Sequence, residues 1–245
     1  MVNTEHISVD RFGATLMRSI NTYLFTAFAV IFILSAGHTA HAQSNIREIM
    51  KRMDTHYKAL KSMEANVYRV QANSQIGTSE DSSGTVVFVP SKNRTESKVL
   101  LTWTKPRREI LSIANGLYQL YIPDIKRAYR GSTSSQNVGK AGGGVLSMMN
   151  MSEAELRAKY TAQYVGQVNL EGSEVWHIRL NPKARESFQS AEMWVNGDGM
   201  PVQIRVTAHN KDTDLLRFSG IKRNNSIKGS VFEVKPAKGT EIIKQ

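Results

Sequence analysis

Residues 191–206 read AEMWVNGDGMPVQIRV. Two strand-like runs in this stretch flank Asn196-Gly197-Asp198-Gly199, residue types that favour a tight reversal of the chain. The same alternation of short runs and turn signals extends outward from this hairpin, back to residue 66 and forward to SVFEV at residues 230–234. About eleven short strands in series predict an antiparallel sheet that curls into a barrel or half-barrel.

An amphipathic helix is predicted before the first strand. Between Asn45 and Met63 the apolar side chains recur every three or four residues, at Ile46, Met50, Met53, Tyr57 and Leu60. The period then changes to two. Tyr68 and Val70 share one face of the first strand, and Arg69 and Gln71 share the other.

One long insertion interrupts the strands. Residues 131–144, GSTSSQNVGKAGGG, lead into VLSMMNM at residues 145–151 and then into SEAELRAKY. Ser152 and Glu155 have the spacing of a capping box, which predicts a short helix. Methionine re-packs around irregular apolar shapes, so the segment is either an adaptable apolar lid or a set of gap fillers under a loop.

Residues 1–42 have the pattern of a secretory signal peptide. A basic flank at Arg18 precedes the apolar run Tyr23–Leu34, and the small residues Ala40 and Ala42 frame a cleavage signal. The run of about twelve residues is well short of the ~20 that span a bilayer. We therefore expect cleavage after residue 42 rather than a membrane anchor.

The remaining chain, residues 43–245, has the size of one domain. Met17 is a possible alternative start, in which case residues 1–16 would not be translated. Export through a cleaved signal peptide predicts a soluble periplasmic protein, which we expect to be a monomer.

The composition excludes several kinds of chemistry. The chain has no cysteine, so disulfides, thiolate metal sites, a cysteine nucleophile and a lipid-attachment cysteine are all absent. His56, His177 and His209 do not stand at metal-ligand spacing, and no hydrolase or nucleotide-binding motif is found. We expect no cofactor, no metal and no enzymatic activity. The net charge of +11 suits anionic partners such as phospholipid head groups or acidic proteins, and export disfavours nucleic acid.

Five stretches, in this order, resemble the LolA-like family of periplasmic outer-membrane lipoprotein carriers. They are REIMKRMDTHYKALKSMEANV, WTKPRREILSIANGLYQLYIPDIKRAYRG, LSMMNMSEAELRAKYTAQYVG, AEMWVNGDGMPVQIRV and VFEVKPAKG. The resemblance implies an α+β fold that is mainly β. Its core is a half-open antiparallel barrel of about eleven strands, covered by the N-terminal helix and a short lid helix, around an apolar cavity for acyl chains.

The resemblance also implies a lipid-binding cavity and lid, which would comprise Met50, Met53, Tyr57, Trp103, Leu146, Met148, Met149, Met151, Trp176 and Trp194. Independently of the resemblance, basic clusters at strand ends and turns predict a docking patch for an acidic partner, with a solvated rim as the alternative. The patch would comprise Lys105, Arg107, Arg108, Lys126 and Arg127. The nearest counterparts of the arginine that latches the lid in the family are Lys92 and Arg94.

The leading functional hypothesis is a carrier for the acyl chains of lipoproteins or for another lipid. Its partners would be an inner-membrane lipoprotein release complex and an outer-membrane acceptor. The alternatives are an envelope-stress sensor or regulator built on the same barrel and a secreted lipid- or glycan-directed hydrolase. The regulator is expected to need a second domain, and the hydrolase needs an acid/base constellation that the sequence does not show.

Overall fold

The structure, a computed structural model, describes residues 45–91, 96–133 and 151–245. The fold is that of the compact unit Ile46–Gln245. Helix α1 covers residues 45–59, and strand β1 begins at Met63, where the sequence pattern still predicts helix. A shorter helix, α2, covers Glu153–Lys159. In the part of the chain that the structure describes, no helix has the length and apolar character that a membrane span requires.

Strands dominate the described chain. In order they are β1 Met63–Asn73, β2 Thr78–Val89, β3 Lys98–Lys105, β4 Glu109–Ala114, β5 Leu117–Ile122, β6 Arg127–Ser132, β7 Tyr160–Leu170, β8 Ser173–Pro182, β9 Phe188–Val195, β10 Pro201–Ala208, β11 Thr213–Arg223 and β12 Glu241–Lys244. They form one sheet in the order β12-β6-β5-β4-β3-β2-β1-β11-β10-β9-β8-β7. Because β12 and β7 stand at opposite edges and do not pair, the sheet is open.

The sheet is antiparallel except at one edge. Strands β1 to β11 pair with antiparallel neighbours, whereas β12 runs parallel to β6, with Ile243 beside Tyr129. The open antiparallel sheet with a helical cover confirms the predicted fold class. The described residues form twelve strands, close to the predicted number of about eleven, but β6 and β12 were not among the predicted strands.

The predicted strand SVFEV, residues 230–234, is wrong. Residues Gly229–Phe232 form a 3-10 turn, and the chain then crosses β4 and β5 on the side away from α1. The Ser112 hydroxyl donates to the Phe232 carbonyl at 2.5 Å, and the Gln119 side-chain amide donates to the Val234 carbonyl at 2.9 Å. These carbonyls accept hydrogen bonds from side chains of the sheet, and no neighbouring strand pairs with residues 230–234 in the described chain.

The hydrophobic core lies between α1 and one face of the sheet, which we call the inner face. Ile49, Met50 and Met53 of α1 belong to the same buried cluster as Leu101 of β3 and Met193 of β9. Alternate residues along each strand point to opposite faces, so each strand contributes about half of its side chains to this core. The other side of the sheet is called the outer face.

The β9–β10 turn fixes the position of α1. Gly199, in this turn, has a φ of +83°, and a Cβ atom added there would lie 2.3 Å from the backbone carbon and oxygen of Arg52. Only glycine lets the turn and the helix backbone approach this closely. The Arg52 guanidinium also donates to the Gly197 carbonyl at 3.0 Å. The Asn196-Gly197-Asp198-Gly199 turn is therefore the seat of α1, that is, the place where the backbone of the helix rests against the β9–β10 connection.

We expect Gly199→Ala to lower the free energy of unfolding by about 2–4 kcal/mol, because it adds both a positive-φ strain and a backbone clash. Gly197→Ala is the matched control, since a Cβ atom there meets nothing within 4 Å. Its effect should be about 0.5 kcal/mol or less. Urea unfolding followed by circular dichroism measures both values. Equal stability of the two variants would contradict the role given to Gly199.

Candidate binding site

The apolar stripe of α1 covers the inner face. Met50 and Met53, both predicted cavity residues, are 2% and 4% exposed and lie in the main core. Tyr57, also predicted there, is half-buried. His56 completes the buried stripe at the end of the helix that faces β1. The helix therefore places the predicted side chains of this segment at the boundary between helix and sheet.

Two of the three predicted tryptophans lie on the inner side. Trp103 of β3 is buried in the core cluster beside Leu101. Trp176 of β8 is half-buried, packs against that core, and has the Arg52 guanidinium carbon 5.2 Å from its ring centroid. A guanidinium over an indole ring is a favourable cation–π contact. This contact adds to the attachment of α1 to the sheet.

Trp194, which was expected in the cavity, lies on the outer face instead. Its neighbours Met193 and Val195 belong to the inner core, and strand alternation turns Trp194 the other way. Its ring stacks on His177 with centroids 4.4 Å apart, and Arg205 lies over it at 5.5 Å. Trp194 therefore belongs to a polar cluster that the sequence did not reveal.

The predicted lid is described only at its end. Leu146, Met148 and Met149 lie outside the described residues. Met151 is 6% exposed and shares the core with Met50 and Met53. The predicted capping box is confirmed at α2, where the Ser152 hydroxyl accepts from the Glu155 amide and the Glu155 carboxylate accepts from the Ser152 amide. The Glu153 amide at the start of α2 donates to Asp54 of α1 at 3.4 Å, so the two helices meet.

A small apolar cavity lies under the end of α1. Its volume is about 20 Å³, and it is lined by His56, Leu60, Met63, Val86, Phe88, Val99, Met200 and Pro201. A space of this size holds about one water molecule. The cavity as it stands is therefore too small for an acyl chain.

Polar contacts hold the same end of α1. The Nδ1 atom of His56 lies 3.2 Å from Nη1 of Arg223, and Arg223 also donates to Asp198 at 2.8 Å. The side-chain oxygen of Asn224 accepts from the Lys61 amide at 2.8 Å. Burial, and next the charge of Arg223, lower the pKa of His56 below its ordinary value, and Asp198 offsets only part of this effect.

The pH dependence follows from the lowered pKa of His56. The folded protein favours the neutral imidazole of His56, whereas the unfolded chain binds a proton at the ordinary histidine pKa of about 6.5. The free energy of unfolding is therefore not reduced by His56 above that pH, and it falls as the pH drops below it. We expect the free energy of unfolding, measured by urea titration, to decrease from pH 7 to pH 5.5. His56→Gln should reduce that decrease. An unchanged pH slope in this variant would contradict the prediction.

A buried arginine was missed by the sequence reasoning. Arg69 is 8% exposed and forms a two-point ion pair with Asp214, with distances of 2.8 and 2.6 Å. Asp214 also lines a polar groove of about 580 Å³ with Gln71, Asn73, Thr78, Glu80 and Asp212, among others. Arg69 follows Met63, Ala65 and Val67 on the inner face. Arg69 continues that odd-numbered alternation, but Tyr68 and Val70 give the opposite face an apolar pattern too, so the sequence alone did not decide which face is buried.

The second missed cluster surrounds Glu192 on the outer face. This carboxylate is 5% exposed and accepts hydrogen bonds from Arg205 at 2.7 Å and Arg179 at 3.0 Å. Burial raises the pKa of Glu192, but the two arginines outweigh it and hold the pKa below its usual range. His177 Nε2 lies 3.2 Å from the carboxylate without hydrogen-bond alignment. Burial lowers the pKa of His177, and Glu192 offsets this only in part.

Metal ligation is not indicated in the described residues, because they contain no group of three or more His, Asp or Glu side chains that could hold an ion. The carboxylates of Asp214 and Glu192 are instead paired with arginine side chains. The candidate binding site is the apolar face under α1, where the buried side chains of the helix meet the inner face of the sheet.

The five residues of the predicted docking patch are all exposed and lie in, or directly beside, the β3–β4 and β5–β6 turns. Arg107 forms an ion pair with Glu109, and Arg127 forms one with Glu241 at 3.1 Å. Among the described residues, the other three, Lys105, Arg108 and Lys126, have no ion-pair partner. Lys92 and Arg94, named as counterparts of a latching arginine, lie outside the described residues.

Comparison with known proteins places the chain in a family. Residues 83–236 match the model of a family described as "Uncharacterized protein". The chain belongs to this family. Among curated proteins, none matches the chain in sequence.

Solved structures share the fold at low sequence identity. An uncharacterized conserved protein from Thermus thermophilus is 13% identical, with 82% of this chain and 99% of that chain covered and a TM-score of 0.53. MucB is 11% identical to this chain, with a TM-score of 0.53. The match covers 78% of this chain but only 63% of the length of MucB. A LolA superfamily protein from Nitrosomonas europaea also matches, at 14% identity, coverages of 77% and 97%, and a TM-score of 0.39, which does not by itself define a common fold.

Proposed function

We propose that this protein is a periplasmic carrier that binds the acyl chains of lipoproteins, or of a related lipid, between α1 and the inner face of the open sheet. One observation carries the proposal. Every methionine of the described residues lies in the single core between the helices and the sheet: Met50, Met53, Met63, Met151, Met193 and Met200. Flexible thioether side chains allow such an interface to re-pack around a ligand of variable shape.

The energetics make release the harder step. An acyl chain gains about 0.8 kcal/mol for each buried CH₂ group, so capture needs no specific polar contact. The cavity in the closed form holds about one water molecule, so α1 must move for the ligand to enter or leave. The polar contacts of α1 with the rest of the chain, through Arg52, Asp54, His56 and Ala59, are consistent with a cover that can detach.

The proposed setting is the periplasm, with residues 1–42 acting as the cleaved signal peptide. The carrier would receive its ligand from an inner-membrane lipoprotein release complex and pass it to an outer-membrane acceptor. The protein needs no cofactor for this task and performs no catalysis.

Substitutions at Met53 test the proposal. Met53→Gln keeps a similar shape but buries an unpaired amide, and we expect it to weaken binding of a fluorescent acyl probe by about tenfold. Met53→Leu conserves volume and polarity, so its affinity should stay close to wild type while release becomes slower, because leucine re-packs less readily. Probe titration and stopped-flow dissociation measure these effects, with circular dichroism to check the fold.

Two outcomes would overturn the carrier proposal. One is a folded wild-type protein that binds no acyl probe. The other is a folded Met53→Gln variant with wild-type affinity, since the α1 interface would then not contact the ligand.

A second candidate is an envelope-stress sensor or regulator. The fold likeness to MucB favours it, although 11% identity relates the folds alone. Pull-down experiments with lipoproteins that carry or lack acyl chains distinguish the two functions. Acyl-dependent capture supports the carrier, capture of a signalling protein regardless of acylation supports the regulator, and turnover of a lipid or glycan would point to the hydrolase alternative.

A further inference from the structure

The two edges of the sheet are built differently. Strand β12, at one edge, has four residues, of which Glu241 and Lys244 are charged. Short length and charge are two means by which proteins keep a sheet edge from pairing with another chain. Strand β7, at the other edge, has eleven residues, Tyr160–Leu170, without a charged residue or a proline. A bulge between Tyr164 and Gly166 interrupts β7, so the part before the bulge is a regular, uncharged edge.

The hydrogen bonds between β7 and β8 alternate in a defined phase. The Lys183 amide donates to the Lys159 carbonyl at 2.9 Å, next to the pair formed by Tyr160 and Pro182. Hydrogen-bonded and non-hydrogen-bonded pairs alternate along an antiparallel ladder, so the Tyr160 pair is of the non-hydrogen-bonded kind. Proline has no N–H to donate, which agrees with this assignment. The odd-numbered residues of β7 before the bulge therefore bond to β8.

Two residues of β7 consequently point their backbone groups away from the sheet. Ala162 and Tyr164 are even-numbered, so their amides and carbonyls face outward. Among the described residues, these backbone groups have no other partner. The two side chains pack against the core of the inner face. A row of unpaired donors and acceptors therefore lies along this edge, where a further strand can be added.

The outward-facing groups match a second copy of the same strand. When two copies of β7 run antiparallel about a twofold axis at Gln163, Ala162 of each copy lies opposite Tyr164 of the other. Each of these pairs forms two backbone hydrogen bonds, which uses every outward-facing amide and carbonyl of Ala162 and Tyr164. On the inner face a small side chain then lies opposite a large one. On the outer face the two Gln163 side chains meet, and each amide can donate to and accept from the other.

The side-chain match favours a second copy over an unrelated extended peptide. Any extended segment offers backbone donors and acceptors, but the pairing of Ala162 with Tyr164 and of Gln163 with itself is a property of this strand alone. Since β7 carries no charge, no like charges meet at its centre when two copies pair.

We propose that the edge of β7 is an interface between two copies of this chain, paired antiparallel about Gln163. The twofold axis is perpendicular to the sheet, so the sheet continues from one copy to the other and both inner faces lie on the same side. This dimer takes the place of the monomer expected from the sequence. A contact of a few residues per copy is at the weak end of protein interfaces, so the association is reversible and depends on concentration. The inference goes beyond the proposed carrier function and does not depend on it.

Cysteine cross-linking tests the register, because the chain has no cysteine of its own. Opposed residues of a non-hydrogen-bonded pair have Cα atoms about 4.5 Å apart, within the range that a disulfide spans. Gln163→Cys should therefore form a disulfide-linked dimer under mild oxidation, seen by non-reducing electrophoresis. Thr161→Cys is the matched control. Thr161 is also exposed, on the same face, but lies roughly 13 Å along the strand from its own copy, so it should cross-link at least about tenfold more slowly.

Charge at the same position tests the pairing in solution. In sedimentation equilibrium we expect wild type to dimerise as its concentration rises. Gln163→Lys puts two like charges directly opposite each other and should weaken the dimer about fivefold, whereas Thr161→Lys should have a much smaller effect. An equal mixture of Gln163→Lys and Gln163→Glu should restore the association, because opposite charges then face each other. These positions are exposed, and circular dichroism checks that each variant keeps the fold.

Amide hydrogen exchange measures the edge itself. The amides of Ala162 and Tyr164 should exchange rapidly in dilute protein and become protected as the concentration rises. The amides of Thr161 and Gln163 bond to β8 and should be protected at both concentrations. Nuclear magnetic resonance resolves the four amides separately.

Several results would overturn the interface. The first is wild-type protein that stays monomeric at about 1 mM, where a contact with a Kd of about 1 mM is half formed. The second is cross-linking of Gln163→Cys and Thr161→Cys at equal rates. The third is slow exchange of the Ala162 and Tyr164 amides in a monomer, since another part of the chain would then cover the edge. Protection of these amides only by an added extended peptide would assign the edge to a different partner and reject the dimer.

Discussion

The packing of α1 on the inner face is the contact on which the rest of the structure depends. An open sheet leaves one apolar face without a second sheet to cover it, and each large side chain buried there contributes roughly 1.5–3 kcal/mol. Ile49, Met50 and Met53 supply most of the helical side of that contact. In the proposed carrier, the surface that stabilises the fold is also the surface that the apolar ligand would occupy, so a ligand would have to compete with the protein's own core.

The position of α1 is set by a small number of local features at one end of the sheet. Gly199 permits the close approach of the β9–β10 turn, and Arg223 joins His56 to Asp198. None of these contacts is large by itself. Because a histidine with a lowered pKa stands among them, the attachment of the helix is coupled to proton binding.

The sequence by itself determined the features that depend on near neighbours: the helix from its three- and four-residue spacing, most strands, and the capping box of Ser152 and Glu155. Only the tertiary structure decided which face of each strand is buried. Arg69 is inside and Tyr68 is 40% exposed, and Trp194 faces away from the cavity in which it was expected. Alternation defines two faces, but the strands and helices that pack on them, distant in sequence, select the buried one. For the same reason β12, which exists only because β6 offers it an edge, was not recognisable from its four residues.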